Sequence, residues 1–418
     1  MAAFDSEQYD IDILDNGRTV RDFIDKKIEQ LSLEVSVTTL EPFHVADLDD
    51  VYKKHLTWSE NLPRVKPFYA VKCNNTPAII RTLSALGTGF DCASKAEIEL
   101  ALSLGATPDR IIFAHTTKPE SHIKFARTRG VQMMTFDNQD ELSKIAHCHP
   151  SAKLVLRIAV DDSSSLRRLN SKFGACPAAA GKLLRRAGEL GLDVVGVSFH
   201  VGCMCNDTRA YSRAIADAHQ TRTFPTSGAK VLRGSTINVA LDEFFPPECG
   251  VQIIAEPGRY FVESAFTLAV NVIGKRAMME EAAEQNSNVS TLYVVMMYYV
   301  NDGVFGSLSF LINDPASGCV LPYLQKVKHK LHTSPVCLVC LLPELQVGEW
   351  LLFDNTGAYT VCLATDFNGF EKAHIFSVVT PETWQVLQDH TSDSAGSVNW
   401  TVKDSHCGHS APGVNGGC

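Results

Sequence analysis

Short runs rich in β-forming residues alternate with helix-like segments through the central part of the chain, from residue 68 to residue 260. Each run ends in polar or charged residues, and most of the intervening segments have the apolar spacing of a helix. This alternation is typical of a parallel sheet covered by helices, so the sequence predicts an α/β fold. The predicted strands are residues 68–72, 89–94, 111–115, 132–137, 153–160, 194–202 and 251–260. The predicted helices are residues 77–86, 95–104, 118–129, 177–190, 207–219 and 236–245.

The number of predicted strands is one short of a closed barrel. A parallel barrel with alternating helices needs eight strands, and seven can be read. The gap falls between Gly202 and Val251, where residues 221–232 are rich in Thr, Pro, Ser and Gly and contain no convincing strand. The sequence therefore predicts a (β/α)8-type arrangement that lacks one strand.

The pattern changes after Tyr260, where strands follow one another without long helices between them. This predicts an antiparallel β domain. Residues 277–290 are polar and are predicted to form a surface loop, and residues 389–418, rich in Gly, Ser and His, to form a disordered tail. The strands predicted for the β domain are residues 266–273, 291–300, 350–354 and 358–364.

Composition narrows the functional class. The 418 residues are 45% hydrophobic and 20% charged, with a net charge of −9, and the mixed charges suggest neither a nucleic-acid surface nor a membrane surface. Residues 1–15 do not resemble a signal peptide, and no apolar run is long enough to span a membrane. The 13 scattered cysteines favour reduced thiols in the cytoplasm over a disulfide framework.

Five features lie at or near the ends of predicted strands. They are Lys72, Asp91, Arg157, His200 and the segment 256–259, Glu-Pro-Gly-Arg. In a parallel barrel these ends converge on one face. A lysine held there can form a Schiff base with an aldehyde cofactor, and the arginines suit an anionic ligand. The alternative for each residue alone is a surface ion pair or a satisfied polar group at a strand end.

Several of these segments resemble the eukaryotic ornithine decarboxylases. The resemblance includes Pro-Phe-Tyr-Ala-Val-Lys at 67–72, Gly-Phe-Asp-Cys-Ala-Ser at 89–94, Ser-Phe-His-Val-Gly at 198–202 and Glu-Pro-Gly-Arg-Tyr at 256–260. It extends to residues 301–303, 347–350 and 357–360. These enzymes use pyridoxal phosphate and have an alanine-racemase-like barrel, and the antizyme inhibitors are their inactive relatives.

The resemblance implies a domain arrangement. Residues 1–44 would join the β domain, residues 45–265 would form the pyridoxal-phosphate barrel, residues 266–388 the C-terminal β domain and residues 389–418 the tail. It further implies a head-to-tail homodimer with active sites at the interface.

The resemblance also implies roles for the residues that match the family. Lys72 would form the Schiff base and His200 would stack on the cofactor ring. Glu256 would pair with the pyridine nitrogen, so that the ring accepts electrons as carbon dioxide leaves. Arg259 would contact the phosphate.

Further site residues follow from the same comparison. Asp91 and Arg157 would support the ring and one another, and Tyr359 would reach the phosphate from the β domain. Cys203 stands where the family has a serine near the phosphate, and a thiol is a weaker donor. Asp314 would contact the substrate.

The chain departs from the family at the phosphate-binding loop. Gln-Thr-Arg-Thr at 220–223 stands in place of a strand and a Gly-Gly-Gly loop, so the missing strand and the missing cradle are one deletion. Losing two backbone donors would weaken cofactor binding by about 10²–10⁴-fold. Either residues around 230–239 fill the gap or the chain folds poorly.

The family's substrate loop is also missing, between Pro335 and Leu342. Its loss leaves Asp314 as one acid of two for a distal ammonium, so an apolar amino acid such as leucine would ask less of the site. Cys337 and Cys340 have the spacing of half a zinc site, but a buried strand is the better interpretation and no metal site is predicted.

A non-enzymatic function is the second hypothesis. In the family the stretch matching residues 118–138, together with the position of Lys144, binds antizyme, an acidic partner. The chain keeps this stretch basic, although a solvated amphipathic helix would look the same. An inert chain could bind antizyme and so regulate ornithine decarboxylase. The basic residues are Lys118, Lys124, Arg127, Arg129 and Lys144.

Overall fold

The computed structural model describes two sheets with their covering helices. It describes residues 9–33, 41–221, 227–228, 234–283, 290–309, 322–324 and 342–393. No helix in these ranges is both long and apolar enough to cross a membrane.

The elements are numbered in chain order. The first half contains β1 (Ile11–Ile13), α1 (Val20–Leu33), β2 (Phe43–Asp47), α2 (Leu48–Asn61), β3 (Val65–Ala70), α3 (Pro77–Ala85), β4 (Gly89–Cys92), α4 (Lys95–Ser103), β5 (Ile111–Phe113), α5 (Glu120–Thr128), β6 (Met133–Phe136), α6 (Gln139–Cys148), β7 (Lys153–Arg157), β8 (Ser165–Arg167), α7 (Pro177–Glu189), β9 (Asp193–Ser198) and β10 (Cys203–Cys205). The second half contains α8 (Arg209–Gln220), β11 (Ser227–Gly228), α9 (Gly234–Phe244), β12 (Ile253–Ala255), α10 (Arg259–Val262), β13 (Phe266–Ala283), β14 (Ser290–Val300), β15 (Pro322–Leu324), β16 (Trp350–Asp354), β17 (His374–Val379) and α11 (Pro381–Asp393).

The first sheet is parallel and has the order β11-β12-β3-β4-β5-β6-β7-β9. Each of the seven strands predicted between residues 68 and 260 is found in it, which confirms the α/β class. Its end strand β11 also comes within 8 Å of β9 between Cα atoms, so the sheet curls round on itself.

The predicted gap of one strand is wrong in one respect, because β11 fills it with two residues. Ser227 pairs with Ile253 and Gly228 with Ile254 of β12. A two-residue strand is too short to show alternation, which is why its sequence gave no signal. Residues 230–239 were one candidate to fill the gap. From Gly234 onward they instead form the start of helix α9.

Four apolar side chains, one from each of four strands, form a layer inside this sheet. Phe68, Ile112, Val155 and Ile254 pack together and are almost completely buried. Inward-facing residues recur every second position along a strand. The next inward positions towards the carboxyl ends therefore include Asp91 and Arg157. The polar side chains at this end of the sheet thus lie above a layer of apolar side chains.

The second sheet has the order β1-β17-β2-β13-β16-β15, with β14 also paired to β13. The predicted antiparallel domain is mixed instead, since β17 pairs in parallel with both β1 and β2. The N-terminal strands β1 and β2 belong to this sheet. The strand β2 runs across residues 44 and 45, where the domain boundary was expected.

Three further expectations in this half differ from the structure. Residues 277–283 are not a loop but part of β13, which pairs with β14 up to Ala283 opposite Ser290 and so satisfies its backbone. Residues 358–364 form turns rather than a strand, and Tyr359 among them has a φ of +57°. The helix α11 continues to Asp393, so residues 389–393 are helical where the tail was expected to begin.

The two sheets are joined by polar contacts. The Asp49 carboxylate accepts hydrogen bonds from the Thr380 backbone N–H, at 2.8 Å, and from the Thr380 and Thr383 hydroxyls at the start of α11. The Asn74 side chain, beyond β3, donates to the Gly357 carbonyl at 2.8 Å. A Cβ at Gly357 would lie 1.7 Å from the Val262 carbonyl oxygen, so only glycine fits there.

We expect His44 to limit stability in acid. Its side chain is buried in β2, its Nε2 lies 2.9 Å from the Ser307 hydroxyl, and burial lowers its pKa to about 3. Below about pH 6.5 the histidine is protonated in the unfolded chain but stays neutral in the folded chain. The free energy of unfolding therefore falls as the pH drops from 6.5 towards 3. Between pH 7 and pH 5 the wild type should lose about 2 kcal/mol more than His44→Gln in urea titrations. The exposed His147→Gln is the control, and equal losses in all three proteins would contradict this.

Candidate active site

The structure brings four of the predicted site residues together at the carboxyl ends of the parallel strands. Lys72 lies in the single 3₁₀ turn that follows β3, and Asp91 lies in β4 opposite Ala70 of β3. Arg157 ends β7 and Glu256 follows β12 directly. Electrostatic interactions among these four residues contribute to the shifted pKa values of Lys72, Arg157 and Glu256.

Lys72 and Asp91 form an ion pair between Nζ and Oδ2. The Asp91 side chain is 2% exposed, whereas that of Lys72 is 42% exposed, so solvent and ligands can reach the amine. Burial alone would lower the pKa of Lys72, but the Asp91 carboxylate outweighs it, with help from Tyr359 and Glu256, and raises that pKa. The amine is therefore held as a cation at one position on this face.

Glu256 is an acid of this face whose pKa is raised. Burial, and then repulsion by Asp91, raises its pKa to about 7, while Lys72 and Arg157 act in the opposite direction. The carboxyl group is therefore divided between its two protonation states at neutral pH. Such a group is suited to share a proton with a ligand atom.

Buried polar atoms without hydrogen-bond partners mark the wall of this face. They are Asp91 Oδ1 and the Arg157 atoms Nε and Nη2. The Arg157 guanidinium stacks 5.1 Å from the centre of the Phe173 ring, which leaves its donors to point elsewhere. Unpaired buried polar groups are costly, so the wall is suited to a ligand that supplies acceptors and donors. A polar, anionic cofactor fits this requirement.

His200 follows β9 and its ring is fixed by the backbone. The Gly202 N–H donates to His200 Nδ1 at 2.9 Å, so in the neutral ring the proton is on Nε2. The Asn170 side chain donates to the His200 carbonyl at 3.2 Å and to the Val160 carbonyl at 2.6 Å. Gly202 has a φ of +85° and its missing Cβ would lie 2.5 Å from Ser165, so the turn beside His200 requires glycine.

Arg259 and Tyr359 meet on the other side of Lys72. The Arg259 guanidinium lies 4.8 Å from the centre of the Tyr359 ring and 3.2 Å from the Glu263 carboxylate. The Tyr359 N–H donates to the Cys73 carbonyl at 2.9 Å, which ties this segment to the turn that carries Lys72. A tyrosine from the second sheet and an arginine from the first thus stand together, an arrangement that suits a phosphate.

Cys203 lies in β10, opposite Arg167 of β8, and its side chain is partly buried. Cys203 is close enough to Tyr359 to contribute to the raised pKa of that tyrosine, so the two residues lie on the same side of the site. Asp314, residues 335–341 and residues 222–226 lie outside the described residues, so the substrate acid, the shortened substrate loop and most of the altered phosphate loop stay as predictions. Among the described residues, no three histidine, cysteine, aspartate or glutamate side chains are grouped to hold a metal.

Sequence reasoning missed two polar residues of this face. Asp137 accepts the Gly174 N–H at 2.9 Å, and its charge helps to oppose the fall in the pKa of Arg157 that burial causes. Asn170 holds the end of the His200 strand. Asp137 ends a predicted strand and could have been found by that rule, whereas nothing local distinguishes Asn170.

Comparisons with known proteins agree with this geometry. A family model described as the pyridoxal binding domain of pyridoxal-dependent decarboxylases matches residues 48–231. Ornithine decarboxylase of Rattus norvegicus is 47% identical over 425 residues, which cover 93% of this chain and 91% of that protein. Antizyme inhibitor 2 of Xenopus laevis is 42% identical over 447 residues, covering 96% of each.

Solved structures of similar fold are also decarboxylases. The arginine decarboxylase of Paramecium bursaria Chlorella virus has a TM-score of 0.74 and 32% identity, and the match covers 86% of this chain and 100% of that one. The lysine decarboxylase of Selenomonas ruminantium has a TM-score of 0.71 and 28% identity, covering 88% and 97%. The chain therefore belongs to the eukaryotic ornithine decarboxylase and antizyme inhibitor family of pyridoxal-phosphate-dependent decarboxylases.

Proposed function

We propose that the chain uses pyridoxal phosphate at this face to remove the carboxyl group of a basic amino acid. The observation that carries the proposal is the placement of an accessible lysine amine, Lys72, in one electrostatic network with Glu256, whose pKa lies near neutrality. When bound, the cofactor supplies an electron-accepting ring for the decarboxylation. The cofactor class is that of the family model that matches the chain.

The proposed roles follow from where each group lies. The Lys72 amine is the attachment point, and Asp91 holds it in position through the ion pair. Glu256 keeps a proton at the pyridine nitrogen, because a carboxyl group with a raised pKa shares its proton readily at neutral pH. His200 accepts the Gly202 N–H at Nδ1, so its neutral ring can offer a face for stacking.

The phosphate is proposed to lie against Arg259 and Tyr359. Their cation–π contact orients the guanidinium against the Tyr359 ring. The weaker Cys203 thiol and the altered loop at residues 220–223 make fewer donors available than the family pattern provides. We therefore expect slower or weaker cofactor loading than a complete loop would give.

The substrate is proposed to be basic because of the relatives. The similar decarboxylases act on ornithine, arginine or lysine. They do not support the apolar substrate that was suggested by the loss of one of the two substrate acids. The proposal keeps Asp314 as the acid for the distal ammonium.

A homodimer is proposed to complete the site. The chain has an exposed aromatic patch, in which the tilted rings of Phe305 and Phe367 have centres 4.3 Å apart and Phe370 is 70% exposed. The Thr365 N–H donates to the Phe305 carbonyl at 2.9 Å, which joins the two halves of the patch. Exposed apolar patches of this kind mark interfaces, and we assign this one to a second copy of the chain.

The reduced thiols of the described cysteines suit the proposed cytoplasmic location.

Antizyme binding is the second candidate function. It is favoured by the antizyme inhibitor 2 of Xenopus laevis among the relatives and by three exposed basic residues on or directly after α5. Lys118 must be removed from the predicted docking set, because its side chain is fully buried against Glu141. The exposed residues are Lys124, Arg127 and Arg129.

Borohydride reduction in the presence of pyridoxal phosphate should leave a pyridoxyl group on Lys72, found by peptide mass mapping. The Lys72→Met variant should lose this adduct, because the reactive amine is gone. The matched control is Lys66→Met, an exposed lysine of β3 that should leave the adduct unchanged. A folded wild type without a Lys72 adduct would reject the enzymatic proposal and favour antizyme binding.

The cofactor-free protein should be stabilised by Glu256→Gln above pH 7. Because the folded pKa of Glu256 is raised to about 7, folding resists ionisation, and wild-type stability falls as the pH rises from about 4.5 to 7. The variant should be more stable by about 3 kcal/mol at pH 8 and similar to wild type at pH 4.5, measured by urea unfolding. It should also lose decarboxylation. A constant difference across pH would argue against a strained carboxyl group.

Release of carbon dioxide should be faster with ornithine or lysine than with leucine at equal concentration. The reason is that the Asp314 carboxylate would pair with the distal ammonium of a basic substrate, whereas an apolar side chain would leave that carboxylate unpaired. The Asp314→Asn variant should narrow the difference, while the exposed Asp366→Asn should not. Faster turnover of leucine would restore the apolar alternative.

A further inference from the structure

Lys118 is a buried cation with a complete set of acceptors. Its Nζ lies 2.9 Å from the His115 carbonyl oxygen, 2.6 Å from the Thr135 carbonyl oxygen and 2.8 Å from Glu141 Oε1. An ammonium has three donors, and each has one partner here. Because His115 follows β5 and Thr135 lies in β6, one side chain joins the ends of two neighbouring strands.

These two strand ends lie in the middle of the candidate active site. In the sheet, β5 is next to β4, which carries Asp91, and β6 is next to β7, which ends at Arg157. Asp137, two residues beyond Thr135, accepts the Gly174 N–H at 2.9 Å and acts on the charge of Arg157. A shift at the Lys118 contact would therefore reach the wall of the site.

Glu141 extends this cluster to the surface. Its second oxygen, Oε2, lies 2.5 Å from Lys144 Nζ, which also donates to the Lys118 carbonyl at 2.6 Å. The side chains of Lys118 and Glu141 are 0% exposed, whereas that of Lys144 is 28% exposed. Lys144 is thus the member of the cluster that a partner can touch.

We propose that Glu141 couples the charge of Lys144 to the ends of β5 and β6 and thereby regulates how firmly the barrel face holds its cofactor. An anionic group that bound the exposed part of Lys144 on α6 would draw its amine away from Glu141. The buried carboxylate would then rely on Lys118 alone, and the Lys118 carbonyl would lose its donor. A buried charge with fewer partners is unfavourable. The contact that Lys118 makes between the ends of β5 and β6 would therefore weaken.

The cofactor part of this inference rests on the proposed function, but the strand ends can be measured without cofactor. In Lys144→Gln, amide hydrogen exchange of residues 111–118 and 133–138 should be faster than in wild type. Lys144→Arg, which keeps the charge, should restore slow exchange. Lys53→Gln is the matched control, because Lys53 is an exposed lysine of α2.

The second measurement is the dissociation constant of pyridoxal phosphate, read from its absorbance. We expect Lys144→Gln to raise it by about threefold to thirtyfold, and the two control variants to leave it unchanged. Unchanged exchange in folded Lys144→Gln would overturn the coupling, and so would faster exchange with unchanged cofactor affinity. A wild type that binds no pyridoxal phosphate would contradict the proposed function and leave the exchange comparison to decide the coupling.

Discussion

The ion pair between Lys72 and Asp91 is the interaction around which the polar face is arranged. It holds an amine at the carboxyl ends of the strands, where the sheet is no longer filled by apolar side chains. The same pair sets the electrostatics of its neighbours, since Asp91 raises the pKa of Glu256 and Lys72 lowers it. A buried carboxylate at this position is tolerated because the cation lies directly on it.

The second sheet contributes more than a cover. Its turn at residues 356–360 docks on the Lys72 turn through the Tyr359 N–H and the Gly357 carbonyl, and the fit leaves no room for a side chain at position 357. Tyr359 adopts a positive φ, a conformation that costs energy for a residue with a Cβ and persists where the surroundings impose it. The strain is located beside Arg259, where the phosphate is proposed to bind. The site therefore needs both sheets.

The family has two kinds of members, and the residues of this chain bear on both. Pyridoxal phosphate is the cofactor of the family's decarboxylases, and the four residues that match its central set are present: Lys72, His200, Glu256 and Arg259. The basic residues Lys124 and Arg127 of α5 are exposed as well. Lys118, a residue of the basic stretch, is buried and joins the ends of β5 and β6.

The sequence by itself determined the parallel sheet, because strand and helix periods are local and the seven runs carried them clearly. It also determined the residues at the strand ends, since parallel topology alone brings such ends to one face. Only the tertiary structure decided features that depend on distant partners. The two-residue strand β11 exists because β12 offers it hydrogen bonds, and residues 277–283 are extended because β14 pairs with them. Lys118 is buried because Glu141 and two carbonyls surround it, and Tyr359 leaves the strand conformation because it must dock on Cys73. Burial and pairing across the chain cannot be read from a local pattern, so these assignments required the folded molecule.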